Sequence, residues 1–168
     1  PAVITAYRTP SMKTKDSRVL DMISTYLSTG KSSVLYKKLV DTKKMALQAG
    51  AINLSQEDYG TYVIYGLPQG ETKLADIVTE IDEEISKLQM ELISEKNYQK
   101  LQNQFENNFV NANSSVEGIA NSLARYHVLY GDTNLINTEI NIYQSITRED
   151  IMAVAKKYLN PNQRLVLE

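Results

Sequence analysis

Cysteine and tryptophan are absent from the 168 residues, and histidine occurs once, as His127. Without cysteine there is no disulfide framework, no thiolate nucleophile and no cysteine-ligated metal, and the redox compartment stays open. With one imidazole, neither the HExxH zinc motif nor its inversion HxxEH can be completed, because both place two histidines on one helical face beside a carboxylate. Long apolar runs are missing as well: none approaches the ~18–20 residues needed to span a bilayer. A charge of one sign is also lacking. Lys+Arg 18 against Asp+Glu 20 leaves a net charge of -2, so no overall field draws the chain to nucleic acid or to an anionic membrane.

What is present suffices for a core. With 42% hydrophobic residues in 168, the chain supports one globular domain spanning 1–168. Its start at Pro1 rather than Met, and the strand-like end RLVLE, point to a piece of a longer protein, in which a leader or anchor would lie outside this stretch.

The few prolines and glycines fall where elements end. AVITAYR at 2–8 reads as a strand halted at Thr9-Pro10. From Asp16 as N-cap, Val19, Leu20, Ile23, Tyr26 and Leu27 recur at helical spacing, and Gly30 stands at the C-terminal cap. Ser32 or Ser33 can cap a second helix with Leu35, Leu39 and Val40 inward, leaving Lys37, Lys38, Asp41 and Lys43 as a solvated face. Residues 46–54 and 59–67 form a hairpin around the polar turn 55–58, with Gly50, Gly60 and Gly66 marking bulges or close backbone approaches. Leu74, Ile77, Val78, Ile81, Ile85 and Leu88 give 72–90 the clearest helical stripe. Ser94 caps a further helix running towards Val110. Helical spacing resumes over 116–130 and 135–145, and Thr147 with Asp150 resembles a capping box before a last helix that stops at Asn160-Pro161. A final strand occupies 164–168. This order predicts an α+β domain whose helices cover one face of a mostly antiparallel sheet.

Candidate chemistry thins out on inspection. A phosphate loop needs Gly, four residues, then Gly-Lys-Ser/Thr after a strand; Gly30-Lys31-Ser32 supplies the second half only, with Thr25 at the first glycine position, and it follows a helix. It reads as a turn. His127, in the aromatic segment ARYHVLY, reads as a partly buried structural histidine rather than the base for a serine nucleophile. Asp82-Glu83-Glu84 and the i, i+4 pair Glu80 and Glu84 read as a solvated helix face. Asn53 and Asn113 begin glycosylation sequons, a pattern too short to carry an argument.

GKSSVLYKKLV at 30–40, followed by KKMAL at 43–47, resembles the second α+β domain of the M16 metallopeptidases, the insulinase and pitrilysin group. In that family a helix ends at glycine, a G-x-S-S-x-L-Y segment opens the next helix, and L-A-Y opens a strand. The likeness continues in order through ISE at 93–95, ITREDI at 146–151 and KKYLNP at 156–161, and so covers nearly the whole chain. It implies the non-catalytic domain of a zinc peptidase. The family's zinc sits on an HxxEH helix of a preceding domain, so this chain is expected to hold no cofactor, with zinc in the parent's catalytic domain. Implied partners are the zinc-bearing M16 domain, in the same or a partner chain, and the parent's peptide substrate; no nucleic acid and no membrane segment is expected. Many members carry, in such a domain, an Arg and, seven residues on, a Tyr that bind and polarise substrate. Those positions fall here on Val40 and Leu47, whose side chains donate no hydrogen bond. The alternative reading is a structural or docking domain of an assembly that has lost proteolysis.

Overall fold

The computed structural model describes residues Pro1–Glu168. In β1 (Val3–Pro10) the side chains of Val3, Thr5, Tyr7 and Thr9 are buried and their neighbours are not. β3 (Tyr59–Pro68), reached through β2 (Ala46–Leu54), buries Gly60, Tyr62, Ile64 and Gly66 with the same period of two. That period belongs to strands covered on one face. With β4 (Arg164–Leu167) they form a sheet in the order β2-β3-β1-β4, every neighbouring pair antiparallel.

In chain order, α1 (Lys15–Ser28) and a π-helical segment (Tyr36–Thr42) join β1 to β2. Between β3 and β4 run α2 (Leu74–Met90), α3 (Glu95–Ala112), α4 (Val116–Arg125), a π turn (Tyr126–Tyr130), α5 (Leu135–Gln144) and α6 (Arg148–Tyr158). The fold is therefore α+β, as the sequence predicts. By internal packing the chain divides into two compact units, Pro1–Ile93 with Arg148–Glu168, and Ser94–Thr147.

In the first unit α1 packs on β2, and α6 packs on α1 and α2. The core is the predicted stripes brought together: Leu20, Ile23 and Leu27 of α1, Ile77, Ile81 and Ile85 of α2, Ile151, Val154 and Ala155 of α6, over Tyr7, Tyr62 and Ile64 of the sheet. Each fully buried Leu or Ile contributes about 1.5–3 kcal/mol relative to leaving it exposed. Gly66 lets α2 approach, since a Cβ there would stand 2.6 Å from the Ile77 Cγ2. Polar ties fix the helix ends. The Gln89 side-chain amide donates to the Ala155 and Leu159 carbonyls at 3.1 and 3.0 Å, and the Arg164 guanidinium grips both carboxylate oxygens of Asp82 and the Tyr7 hydroxyl.

Within this unit the helices cover one face of the sheet only. On the other, Ile4, Ala6 and Arg8 of β1 lie beside Tyr65, Val63 and Thr61 of β3, with Ile52 and Leu54 of β2 and Leu165 and Leu167 of β4 flanking them. Arg8 is the sole charged side chain among these. Gly50 shares this face because Tyr65 lies over it, with its hydroxyl 2.7 Å and its ring carbons 2.8 Å from where a Cβ would be.

The second unit is helical. Ser94 and Ser115 cap α3 and α4, each hydroxyl accepting from the backbone N–H three residues on. Phe105 stacks on Tyr143 with ring centroids 4.7 Å apart, and the Tyr98 hydroxyl donates to the Ile146 carbonyl at 2.6 Å. Burial and a hydrogen bond with Glu139 hold the Tyr126 hydroxyl above its ordinary pKa.

β1 runs to Pro10, which pairs with Tyr59 at the end of the ladder, so the strand stops at the proline as predicted. One local reading needs correction. The N-cap of α1 is Thr14, whose hydroxyl accepts from the Ser17 N–H at 3.2 Å. Asp16 instead binds Lys157 and the Tyr158 hydroxyl at 3.0 and 2.7 Å, a partner 142 residues away in sequence that no local rule could reveal.

Candidate functional site

The stretch from Gly30 to Leu47 departs from regular geometry four times. Gly30 has φ +78, and the Ser33 N–H bonds back to its carbonyl at 3.0 Å, closing a turn after α1. The half phosphate-loop motif is thus the turn between two helices. Leu35 and Leu39 then anchor the next segment in the core. It winds as a π-helix, the Lys43 N–H bonding to the Lys38 carbonyl five residues back at 2.9 Å, and Val40 sits in it, half-buried. Lys44 follows in the left-handed region, φ 51, the one non-glycine residue there. Finally β2 opens on a bulge: Ala46 pairs with Pro68 and Gln48 with Leu67, leaving Leu47 as the extra residue. Pro68 has no N–H to give the ladder, which explains why pairing breaks at this point. Leu47 is 66% exposed. Single π turns and bulges occur preferentially at functional positions, and here the two fall on the two residues singled out from the sequence. The π segment packs on β2.

Behind this stretch lies an ion cluster that the sequence reading mistook for two solvated faces. Lys38 Nζ is 2.9 Å from Glu80, 2.7 Å from Glu83 and 3.0 Å from Glu84, with side-chain exposures of 15% for the lysine and 12%, 54% and 10% for the carboxylates. Lys43 also pairs with Glu80, and Lys87 with Glu84 at 2.8 Å. Burial alone would lower the Lys38 pKa, but Glu83, Glu80 and Glu84 together raise it above the ordinary lysine value. The Lys43 bond, helped by Lys38, outweighs burial and lowers Glu80. For Glu84, burial pushes upward and is overcome by Lys87 and Lys38, so the net direction is again downward. These carboxylates are ionised, paired groups that pin the π segment to α2.

As a place for zinc, the residues do not fit. No group of three or more His, Asp or Glu side chains could hold a metal ion, and where carboxylates converge a lysine ammonium already stands among them. His127 lies on the π turn and is exposed, which corrects its reading as partly buried. The sequon amides are occupied: Asn53 donates to Asp21 at 2.8 Å and to the Ser17 carbonyl at 3.1 Å, and Asn113 to the Phe109 carbonyl at 2.9 Å. The arrangement offers shape and apolar surface at Val40 and Leu47, whose own side chains supply no acid, base or nucleophile.

Comparison with known proteins bears on what such a surface is for. The family described as Peptidase M16 inactive domain matches residues 1–105. Zinc protease PqqE of Helicobacter pylori is 27% identical over 161 residues, which cover 96% of this chain and 36% of that protein. The crystal structure of a protease from H. pylori superposes with TM-score 0.90 at 25% identity, over 98% of this chain and 39% of the other. The chain thus spans little more than a third of the length of these relatives. A chain of Complex III2 from Candida albicans shares the fold alone, with TM-score 0.77 at 13% identity over 98% of this chain and 42% of its own.

Proposed function

Because the chain belongs to the M16 peptidase family, as its inactive domain, we propose that residues 1–168 act as one non-catalytic module that packs against a zinc-bearing M16 domain and helps enclose its peptide chamber. The observation that carries this reading is the open face of the sheet. Ile4, Ala6, Ile52, Val63, Tyr65, Leu165 and Leu167 form a broad apolar surface with Arg8 the only charge, which suits the wall of a chamber that receives unfolded or short chains and excludes water. The module's part is burial and enclosure rather than chemistry. Val40 and Leu47 stand where the family's substrate-polarising Arg and Tyr would be, so the zinc domain's own assembly, or another subunit, supplies those donors. Zinc belongs to the HxxEH domain, and the peptide substrate is the parent's.

The test has two arms. Alone, the purified chain binds no stoichiometric zinc by metal analysis and leaves an unfolded peptide intact; a stoichiometric metal with metal-dependent cleavage would sink the reading. Added to the HxxEH-bearing polypeptide, it raises peptide cleavage. The shared fold with a Complex III2 chain favours a second reading, a docking domain in an assembly without proteolysis. A partner polypeptide lacking HxxEH would decide for it.

A further inference from the structure

The sequence of α4, VEGIANSLAR, sets Val116, Ile119, Ala120 and Leu123 at the i, i+3, i+4 and i+7 spacing of one helical face. A stripe this regular ordinarily turns into a core. Here it does so only in part: no residue of α4 is buried, Val116 is 86% exposed, and Ile119 and Leu123 keep 40% and 38% of their surface open. Leu101, Leu135 and Glu139, which are buried in the second unit, and its Phe105–Tyr143 stack all lie outside α4.

A second, independent observation is charge. From residue 107 to 147 the only charged side chains are Glu117, Arg125, Asp132 and Glu139, and Glu139 is buried. A surface designed for water carries about 25–35% charged residues. Exposed aliphatics in a charge-poor field are the composition of the middle of a protein–protein interface. The same poverty selects the partner, because a nucleic acid or an anionic membrane is met by clustered Lys and Arg, and this stretch offers Arg125 alone.

Size narrows it further. A ten-residue helix is ~15 Å long and ~10 Å wide, so its face offers on the order of 200–400 Å², well short of the ~800 Å² that each partner in a free-standing complex buries. The stripe is too small to hold two copies together by itself. It suits one part of an interface with a neighbour that makes further contacts elsewhere.

We propose that the α4 face formed by Val116, Ile119 and Leu123 is where this chain docks on the zinc-bearing M16 domain, which meets it with an apolar, uncharged surface of its own. The inference rests on the pairing proposed above. Titration calorimetry of the chain against the HxxEH-bearing M16 polypeptide of the same genome tests it. Val116→Lys and Leu123→Lys, made separately, each weaken binding by ~30-fold or more, as a charge placed at an interface centre does, and Val116→Lys, at a position 86% exposed, keeps the wild-type melting temperature. Glu117→Lys, off the stripe, changes binding by less than ~3-fold, as a rim charge does. If a lysine variant melts early, Leu123→Gln, polar and uncharged, must still weaken binding. Wild-type binding that both lysine variants retain overturns the α4 assignment and leaves the pairing intact. No binding by the wild-type chain overturns both. Self-association abolished by Leu123→Lys overturns it in favour of a second copy.

Discussion

Replacing Lys38 by Met removes the cation on which three carboxylates converge. Breaking a buried pair by deleting one partner costs about 3–5 kcal/mol, and an exposed pair is worth ~0–1 kcal/mol. Glu83 is exposed and belongs to the second class, while Glu80 and Glu84 approach the first but keep Lys43 and Lys87. The expected loss is therefore about 2–3 kcal/mol at neutral pH, below the full buried-pair value. For a chain of this size that is a fall of about 4–12 °C in melting temperature. The pH dependence is the sharper signature. Glu80 and Glu84 have lowered pKa values in the folded state, so their contribution is present above the ordinary carboxylate pKa of ~4.3 and disappears as pH falls through the folded values. Lys38 is raised; its contribution is complete below the ordinary lysine pKa and is lost only as pH climbs through the folded value. Urea unfolding followed by circular dichroism, at neutral pH and at a strongly acid pH well under the ordinary carboxylate pKa of ~4.3, should show the Lys38→Met penalty shrinking as Glu80 and Glu84 protonate. Adding Glu80→Gln and Glu84→Gln to the variant should recover stability at neutral pH, the unpaired charges being gone. A penalty equal at both pH values, or under ~0.5 kcal/mol at neutral pH, the range of an ordinary surface substitution, would refute the assignment of these glutamates as ionised and paired.

Further outcomes are open to the same unfolding assay. Lys44→Gly stabilises by about 0.5–1 kcal/mol, since the left-handed backbone costs an L-residue ~1–2 kcal/mol and glycine returns part of that as unfolded-state entropy; no gain would mean the φ of 51 is not strained. Gly66→Ala destabilises by about 1–3 kcal/mol, because the new methyl meets Ile77 inside the packed interface of α2 and β3. Gly50→Ala, by contrast, pushes aside the Tyr65 ring and breaks its 3.1 Å bond from Gln48, a change read as altered tyrosine fluorescence with the sheet intact. Leu47→Ser leaves stability within ~0.5 kcal/mol, as its exposure requires, so any effect it has on peptide cleavage in the complex reports contact with substrate.

The parts of the fold legible in the sequence are those set by short-range pattern. The hairpin of β2 and β3 follows from two alternating runs around Ser55–Gln56–Glu57–Asp58, and α2 from an uninterrupted stripe. Ser94 and Gly131 end or begin helices by backbone chemistry that acts within a turn. What escaped depends on partners far along the chain. Leu35, Leu39 and Val40 look the same whether the segment is α or π, and the extra residue at Leu47 follows from Pro68, twenty-one positions later, withholding an N–H. Glu80 and Glu84 read as solvent-facing because nothing local announces that Lys38 will be laid across them. The candidate site is legible only as an address: Val40 and Leu47 can be singled out by motif, whereas the geometry that makes them irregular is tertiary.

The strand order leaves β2 at the margin of the sheet, and its nine residues, ALQAGAINL, contain no charge and no proline. A long uncharged edge is a template on which other chains add strands, and proteins usually guard it with lysine, proline or a bulge. Here the bulge at Leu47 guards one end and the Ser28 hydroxyl holds the Ala51 carbonyl at 2.9 Å midway, which leaves the rest without a charge or a proline. The expected outcome is association through β2 as concentration rises, read by light scattering, and Gln48→Lys, a gatekeeper placed on that edge, should reduce it without altering the melting temperature.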